Sequence, residues 1–405
     1  MSGNKELYLK YGPRNLLWLM DHYNDIHIRF SAELDREIDG ELMEKAWEKT
    51  VRVYPAIGCV IEMEGKELFF YKADGENKAI KSKAVINPGS RLVSGCVVTA
   101  TYYGNRVSVS AYHTMVDGGG LNEIFKTLLY FYISSYTGTY DEPVTVQTAE
   151  GRAPEEYYRP VSPDELGDFT PVPLHTVPYL REFAEDADME ADEDGNKLFA
   201  SVRFSADAFI GKCKEIGANP TAMLALLTSK AFYALNPGEQ KDIFFEITTS
   251  VRKIFGAEGC ISNCTSDVIA DVCYDDVNGD VKDFVKKFRA EMDSQRSADY
   301  VKTKRQLTST YELNPVNKKI TLTYIGSLDI GENTKNITDF EMVTNAAQLL
   351  MLMQLGDEFR LMLEFGKATQ KYIDKISELL RDMGIEVKPA SELHRVAKDS
   401  DEQIL

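Results

Sequence analysis

The 405-residue chain is short of the residues that staple or metallate a fold, with six cysteines, five histidines and two tryptophans. Cys59, Cys96, Cys213, Cys260, Cys264 and Cys273 lie mostly in apolar segments, where a reduced thiol behaves as a small hydrophobe, so a disulfide-framed secreted fold is not expected. Cys260 and Cys264 are the one close pair, but without CxxC spacing or a neighbouring histidine they make no zinc motif. Positive charge is also scarce: 46 Lys and Arg face 64 Asp and Glu, and the resulting charge of −18 weighs against nonspecific binding to nucleic acid or to anionic lipid. Apolar runs long enough to span a membrane, about 20 residues, are missing, and the start "MSGNKELYLKYGPRN" lacks the basic and apolar pattern of a signal peptide. A cytoplasmic location is the expectation. There is no GxSxG nucleophile elbow and no GxxxxGK[ST] phosphate loop.

What is present is the composition of a globular protein, 43% hydrophobic and 27% charged, in a chain long enough for two domains. "IHIRFSAELD" alternates as a strand, and "DGELMEKAWEKTVRVYP" carries Leu42, Met43, Ala46, Trp47 and Val51 at helical spacing behind an Asp39 cap. Hairpins are predicted to turn at Glu64-Gly65 and at Gly104-Asn105. Residues 141–197 are proline-rich and acidic, and read as a connection between residues 1–140 and 198–388, with a mobile lid as the alternative. The second half repeats the pattern in outline: a strand and helix in "KLFASVRFSADAFIGKCKEIG", a buried helix begun by Asn219-Pro220, a strand in "DIFFEITTS", another in "KKITLTYIG", a hairpin in "AAQLLMLMQLGDEFRLMLEFG" and an amphipathic helix in "KYIDKISELLRDMGI". "QLLMLMQL" is expected to be core rather than a lipid groove. The last stretch, 389–405, reads as a frayed polar tail. Two α/β halves with mainly antiparallel, hairpin-linked strands are the economical architecture.

One junction carries chemistry. In "SVSAYHTMVDGGGLNEIFKTLLYFY" a strand gives way to a helix through His113, Asp117 and three glycines, expected to form a tight turn that lifts the imidazole out of the sheet. An imidazole with an ordinary pKa near 6.5 suits removal of a proton from a hydroxyl or amine at neutral pH, with Asp117 holding the turn. Metal ligation by the pair lacks a third ligand at comparable spacing.

Here the chain resembles the acyltransferases of the chloramphenicol acetyltransferase-like superfamily, which includes BAHD acyltransferases, alcohol acetyltransferases, wax ester synthases and peptide-synthetase condensation domains. Their shared HxxxDG pattern is "HTMVDG", His113 to Gly118. "YPAIGCVIE" and "TTSVRKIFGAEGCISNCTSDV" are similar to further segments of those families. The resemblance implies two subdomains in a V around a tunnel, His113 as general base for attack on a thioester carbonyl, and Asp117 turned toward an arginine, best matched by Arg252. It implies no permanently bound cofactor, but acyl-CoA or a phosphopantetheine thioester as co-substrate, with a small-molecule acceptor and, in some branches, an acyl carrier protein as partner. Tyr112 stands where condensation domains usually carry a further histidine, and the DFGWG of BAHD enzymes is missing, which points to the stand-alone alcohol or amine acetyltransferase branch. Candidate donors to an oxyanion or substrate are Tyr112, Thr249, Ser250, Ser262, Asn263 and Ser327, and Lys253 could meet an anionic donor. The competing reading is an inactive protein that keeps the fold and only binds.

Overall fold

The computed structural model describes residues 7–11, 27–64, 67–113, 115–140, 166–175, 181–190, 197–306, 319–344 and 348–396. The first half runs β1 (Leu7–Tyr11), β2 (His27–Leu34), α1 (Gly40–Val53), β3 (Cys59–Glu64), β4 (Glu67–Lys72), β5 (Ile80–Lys81), β6 (Val98–Tyr103), β7 (Arg106–Tyr112) and α2 (Gly118–Thr137). The second runs β8 (Lys197–Ser205), α3 (Ala206–Ile216), α4 (Pro220–Leu235), β9 (Ile243–Ser250), β10 (Thr265–Val272), α5 (Tyr274–Asn278), α6 (Val281–Gln295), α7 (Ala298–Gln306), β11 (Ile320–Leu328), β12 (Ile337–Thr344), β13 (Leu349–Leu355), β14 (Glu358–Glu364), α8 (Thr369–Asp382) and β15 (Val387–Val396).

Local signals set the helix starts. Asp39 accepts from the Leu42 amide at 3.1 Å to open α1, and Asn219 accepts from Ala222 at 2.8 Å to open α4, with Pro220 in its first turn. The α1 stripe Met43, Ala46, Trp47, Thr50 is buried on one side of a five-stranded sheet ordered β12-β2-β7-β6-β5. A seven-stranded sheet, β10-β9-β11-β13-β14-β8-β15, forms the second half; β11 runs parallel to both β9 and β13, and its other pairs are antiparallel. The β3–β4 hairpin makes a small third sheet with β1. Its turn residues lie outside the described residues, as does most of 141–197.

The run "LLMLM" in β13 is apolar on both faces because both faces are covered. Leu350 and Leu352 join the core under the second-half helices, while Leu349, Met351 and Met353 join the core of the first half. The two halves therefore share a buried seam rather than a hinge of solvent.

Two expectations are corrected, and two helices stand where the sequence was given no reading. Residues 198–388 are not a self-contained unit, because β12 leaves that half and pairs antiparallel with β2, placing Phe340 opposite Ala32 and Met342 opposite Phe30. Phe340 then stacks edge-on against Phe30, ring centroids 5.6 Å apart, which is what its apolar alternation was built for. The polar tail is strand as far as Val396, since β8 would otherwise present an unpaired ladder edge. The helices α6 and α7 were not anticipated: their highly charged sequence hides a buried stripe of Phe284, Val285, Phe288 and Met292 in α6, and Tyr300 and Val301 in α7.

Candidate active site

β7 ends at Tyr112, whose ring lies 5.0 Å from that of its cross-strand neighbour His27. The chain then folds back on itself: the amides of Met115 and Val116 both donate to the Tyr112 carbonyl, at 3.0 and 3.2 Å. His113 is the first residue of this turn and is half-buried. A loop from the second half closes over it. Val116 forms an antiparallel bridge with Ser262, the Asn263 amide donates to the Met115 carbonyl at 2.9 Å, and Asn263 Nδ2 donates to the His113 carbonyl at 3.2 Å.

Asp117 is the N-cap of α2 and is buried. Its Oδ1 accepts from the Gly120 amide at 2.7 Å and from Arg252 Nη2 at 2.8 Å; its Oδ2 accepts from the Cys264 amide at 2.8 Å. Three donors, one of them cationic, stabilise a carboxylate that would be very costly to bury alone. Arg252 is equally committed: Nε donates to the Cys260 carbonyl at 2.7 Å, Nη2 also to the Ser262 carbonyl at 2.8 Å, and Nη1 to Ser250 Oγ at 3.3 Å. A lysine could not make this fork.

The hydrogen bonds of both Asp117 oxygens go to Gly120, Arg252 and Cys264, so the geometry pairs Asp117 with Arg252 and with the helix start. Burial is the largest influence on His113 and holds its pKa below the ordinary 6.5, although backbone carbonyls and the charges of Asp117 and Asp267 pull the other way. A pKa held below 6.5 favours the neutral imidazole at pH 7.

The glycines do something other than turn the chain. Gly118, Gly119 and Gly120 form the first turn of α2 with ordinary helical backbone, and none has positive φ. A Cβ on Gly120 would stand 1.9 Å from the Ile261 carbonyl oxygen, and one on Gly118 would stand 3.2 Å from the Ile325 side chain. They permit close approach of the second half to the helix start.

The candidate donors separate. The Thr249 hydroxyl donates to the Ser266 carbonyl at 2.8 Å, and its strand position shares the face of Ile247, which is packed into the second-half core. Asn263 is tied to His113 and accepts from Thr265 Oγ1 at 2.8 Å. Ser250 is exposed beside Arg252, Ser262 is buried in the loop, and Ser327 offers its carbonyl to Asn122 Nδ2 at 3.1 Å. Lys253 is exposed on the turn after β9, where Arg305 also stacks 5.0 Å over Phe255. Sequence reasoning missed Asn122, a buried α2 residue whose Oδ1 has no partner; its position one turn into the helix was the only signal. It also missed the backbone amide of Cys264, which no side-chain pattern reports. Among the described residues no group of three or more His, Cys, Asp or Glu is placed to hold a metal ion, and no helix is long and apolar enough to cross a membrane.

No family model and no curated protein sequence matches the chain. Solved structures do. Polyketide synthase associated protein 5 from Mycobacterium tuberculosis is similar at 12% identity and a TM-score of 0.61, over 91% of this chain and 97% of its own. TRI101 of F. sporotrichioides, solved with coenzyme A and T-2, matches at 12% identity and a TM-score of 0.61, over 95% and 100%. The epimerization domain from the third module of tyrocidine synthetase B matches at 12% identity and 0.57, over 94% and 96%. The chain has the chloramphenicol acetyltransferase-like fold, a mixed α/β architecture shared along nearly its whole length.

Proposed function

We propose that the protein is an acyltransferase that moves an acyl group from a thioester to a hydroxyl or amine, with His113 as general base. The observation that carries this is the half-buried imidazole of His113, set at a strand end with its own carbonyl held by Asn263 and its turn locked through Asp117 to Arg252. In this reading the acceptor's O–H or N–H gives its proton to the imidazole as the heteroatom attacks the thioester carbonyl. The tetrahedral oxyanion then collapses, the carbon–sulfur bond breaks, and the imidazolium returns the proton to the departing thiolate. Burial helps both steps, because it favours the neutral base before attack and makes the imidazolium a willing acid after it.

Fixing the turn matters as much as the pKa. A general base must stay within hydrogen-bond reach of the acceptor, and the clamp from residues 260–264 removes the freedom a loop histidine would otherwise have. Asp117 and Arg252 act as positioning residues in this scheme, and Gly118 lets the helix start approach Ile325. Acyl-CoA is the preferred donor, since TRI101 was solved with coenzyme A and the exposed Lys253 offers a cation on the same loop. A carrier-bound phosphopantetheine thioester presents the same reacting group.

The test is thiol release from a panel of acyl-CoA and N-acetylcysteamine thioesters with alcohol and amine acceptors, comparing wild type with His113→Ala. The expected loss is about 10²- to 10⁴-fold, the range of a single general base. Equal turnover by the variant would remove His113 from the chemistry.

A further inference from the structure

We infer that Cys260 and Cys264 are a thiol–disulfide pair, oxidised by a hydroperoxide, whose bridging displaces the turn that carries His113. The two sulfurs lie 4.0 Å apart, with Cys264 Sγ donating to Cys260 Sγ, and both residues are buried. That separation is unlike the rest of the cysteines, which among the described residues have no such sulfur partner. It is short enough that a disulfide, at about 2.05 Å between sulfurs, needs an approach of about 2 Å.

The two residues are also where the clamp is fastened. The Cys260 carbonyl accepts from Arg252 Nε at 2.7 Å, and the Cys264 amide donates to Asp117 Oδ2 at 2.8 Å. Between them Ser262 bridges Val116, and Asn263 holds the carbonyls of Met115 and His113. Drawing the sulfurs together therefore pulls on both ends of the Asp117–Arg252 bridge and on the His113 turn at once. Close packing here leaves little slack, because the Ile261 carbonyl already sits where a Cβ on Gly120 would be.

The chemistry suits the geometry. The S–H donated by Cys264 lowers the Cys260 pKa, against the opposing effect of burial, with Ser262 and Arg252 adding to the lowering. Burial pushes the thiols of Cys59, Cys96 and Cys213 up instead, and the hydrogen bond to Cys260 together with burial pushes Cys264 up as well, so Cys260 is the sulfur that meets the peroxide and Cys264 the one that resolves the sulfenic acid beside it. The Cys260 thiolate attacks one peroxide oxygen, the O–O bond breaks, and a sulfenic acid and one hydroxyl group form, the latter leaving as water after protonation. Cys264 sulfur then attacks the sulfenic sulfur and expels a second water. In sum two thiols and one hydroperoxide give one disulfide and two molecules of water (or one water and an alcohol, for an organic peroxide); the peroxide takes the two electrons. The loop 252–259 that leads into Cys260 is exposed at Lys253, Gly256 and Glu258, the side from which a small peroxide would reach the pair.

The activity arm rests on the acyltransferase reading, and the thiol arm does not. Folded protein carrying Cys273→Ser is treated with hydrogen peroxide, digested with trypsin and weighed; the substitution leaves Cys260 and Cys264 as the two cysteines of the peptide from Ile254 to Lys282. The expected result is loss of two hydrogens from that peptide, reversed by dithiothreitol and abolished by Cys260→Ser or Cys264→Ser. Thioester turnover, normalised to each variant's own reduced activity, should fall on the order of tenfold or more on oxidation and recover on reduction, since a displacement of about 1 Å at a reacting group can cost 10²-fold. The Cys264→Ser protein should keep its activity through the same treatment. A peptide that stays reduced, or passes directly to sulfinic acid, overturns the pairing; a disulfide that forms while hydrogen exchange over residues 113–120 and turnover stay unchanged overturns the coupling. If no thioester is turned over by reduced protein, the function reading fails while the peptide mass and the exchange measurement still decide this one.

Discussion

Asp117 and Arg252 are 135 positions apart in the chain and 2.8 Å apart in space, with the carboxylate almost fully withdrawn from solvent and the guanidinium largely so. Neither half of the protein can place its own charge without the other. The bridge is thus a fastening between halves whose breakage leaves a buried ion without a partner.

Arg252→Ala should lower the unfolding free energy by about 3–5 kcal/mol, because Asp117 would be left as an uncompensated buried carboxylate. Arg252→Lys should recover only part of this, since an ammonium cannot reach Asp117 and the carbonyls of Cys260 and Ser262 together. Urea titration of the three proteins checks both statements; coincident midpoints would show that the bridge holds nothing together.

The pH dependence follows from the lowered pKa of His113. Folded-state burial holds it below 6.5, so the neutral base persists at pH 6.5 and the acid limb of kcat/KM should lie below that value. Stability has a matching sign: as pH falls from neutral, the unfolded chain takes up a proton near 6.5 before the folded one does, so His113 contributes stability above that pH that is lost on acidification through its folded pKa. Comparing wild type with His113→Gln between pH 5 and 8, by kinetics and by urea midpoints, isolates the contribution. A limb above pH 6.5 would mean that the ring is stabilised in its charged form.

Gly120→Ala should destabilise by about 1–3 kcal/mol or more, as a methyl group there meets a backbone carbonyl that cannot rotate away. Gly118→Ala should cost less, because what it meets is the flexible end of Ile325. Thermal midpoints of the two variants, ranked against each other, are the measurement.

Phe340→Ala removes the ring that β12 packs against Phe30 and Phe125 and should cost about 3–5 kcal/mol. The loss should be felt in the first half, so hydrogen exchange in β2 and β7 should accelerate with it. Acceleration confined to the second-half strands would contradict the crossed pairing.

Where period and punctuation were strong, the sequence announced the fold. Asp39 and Asn219 marked helix starts, Gly104-Asn105 marked a turn, and the alternation of 106–112 marked the strand that ends at the site. What stayed hidden was long-range. The strand Ile337–Thr344 had no reading in the sequence, since alternation alone says nothing about which sheet receives it, and the charged residues of α6 mask its narrow buried stripe. At the site the side chains were readable, down to Asp117 and Arg252, while their backbone partners were not: the Cys264 amide and the carbonyls of Cys260 and Ser262 have no residue-type signature. The same blindness made the glycine run look like a turn when it is a clearance.

The strand order carries a lesson about time. During synthesis the first 140 residues emerge together, yet the edge of their sheet belongs to residues 337–344, roughly two hundred positions later. Until those residues leave the ribosome, β2 must wait with one side of its ladder open, a sticky seam in the crowded space where nascent chains meet. The N-terminal half is made first and completed last.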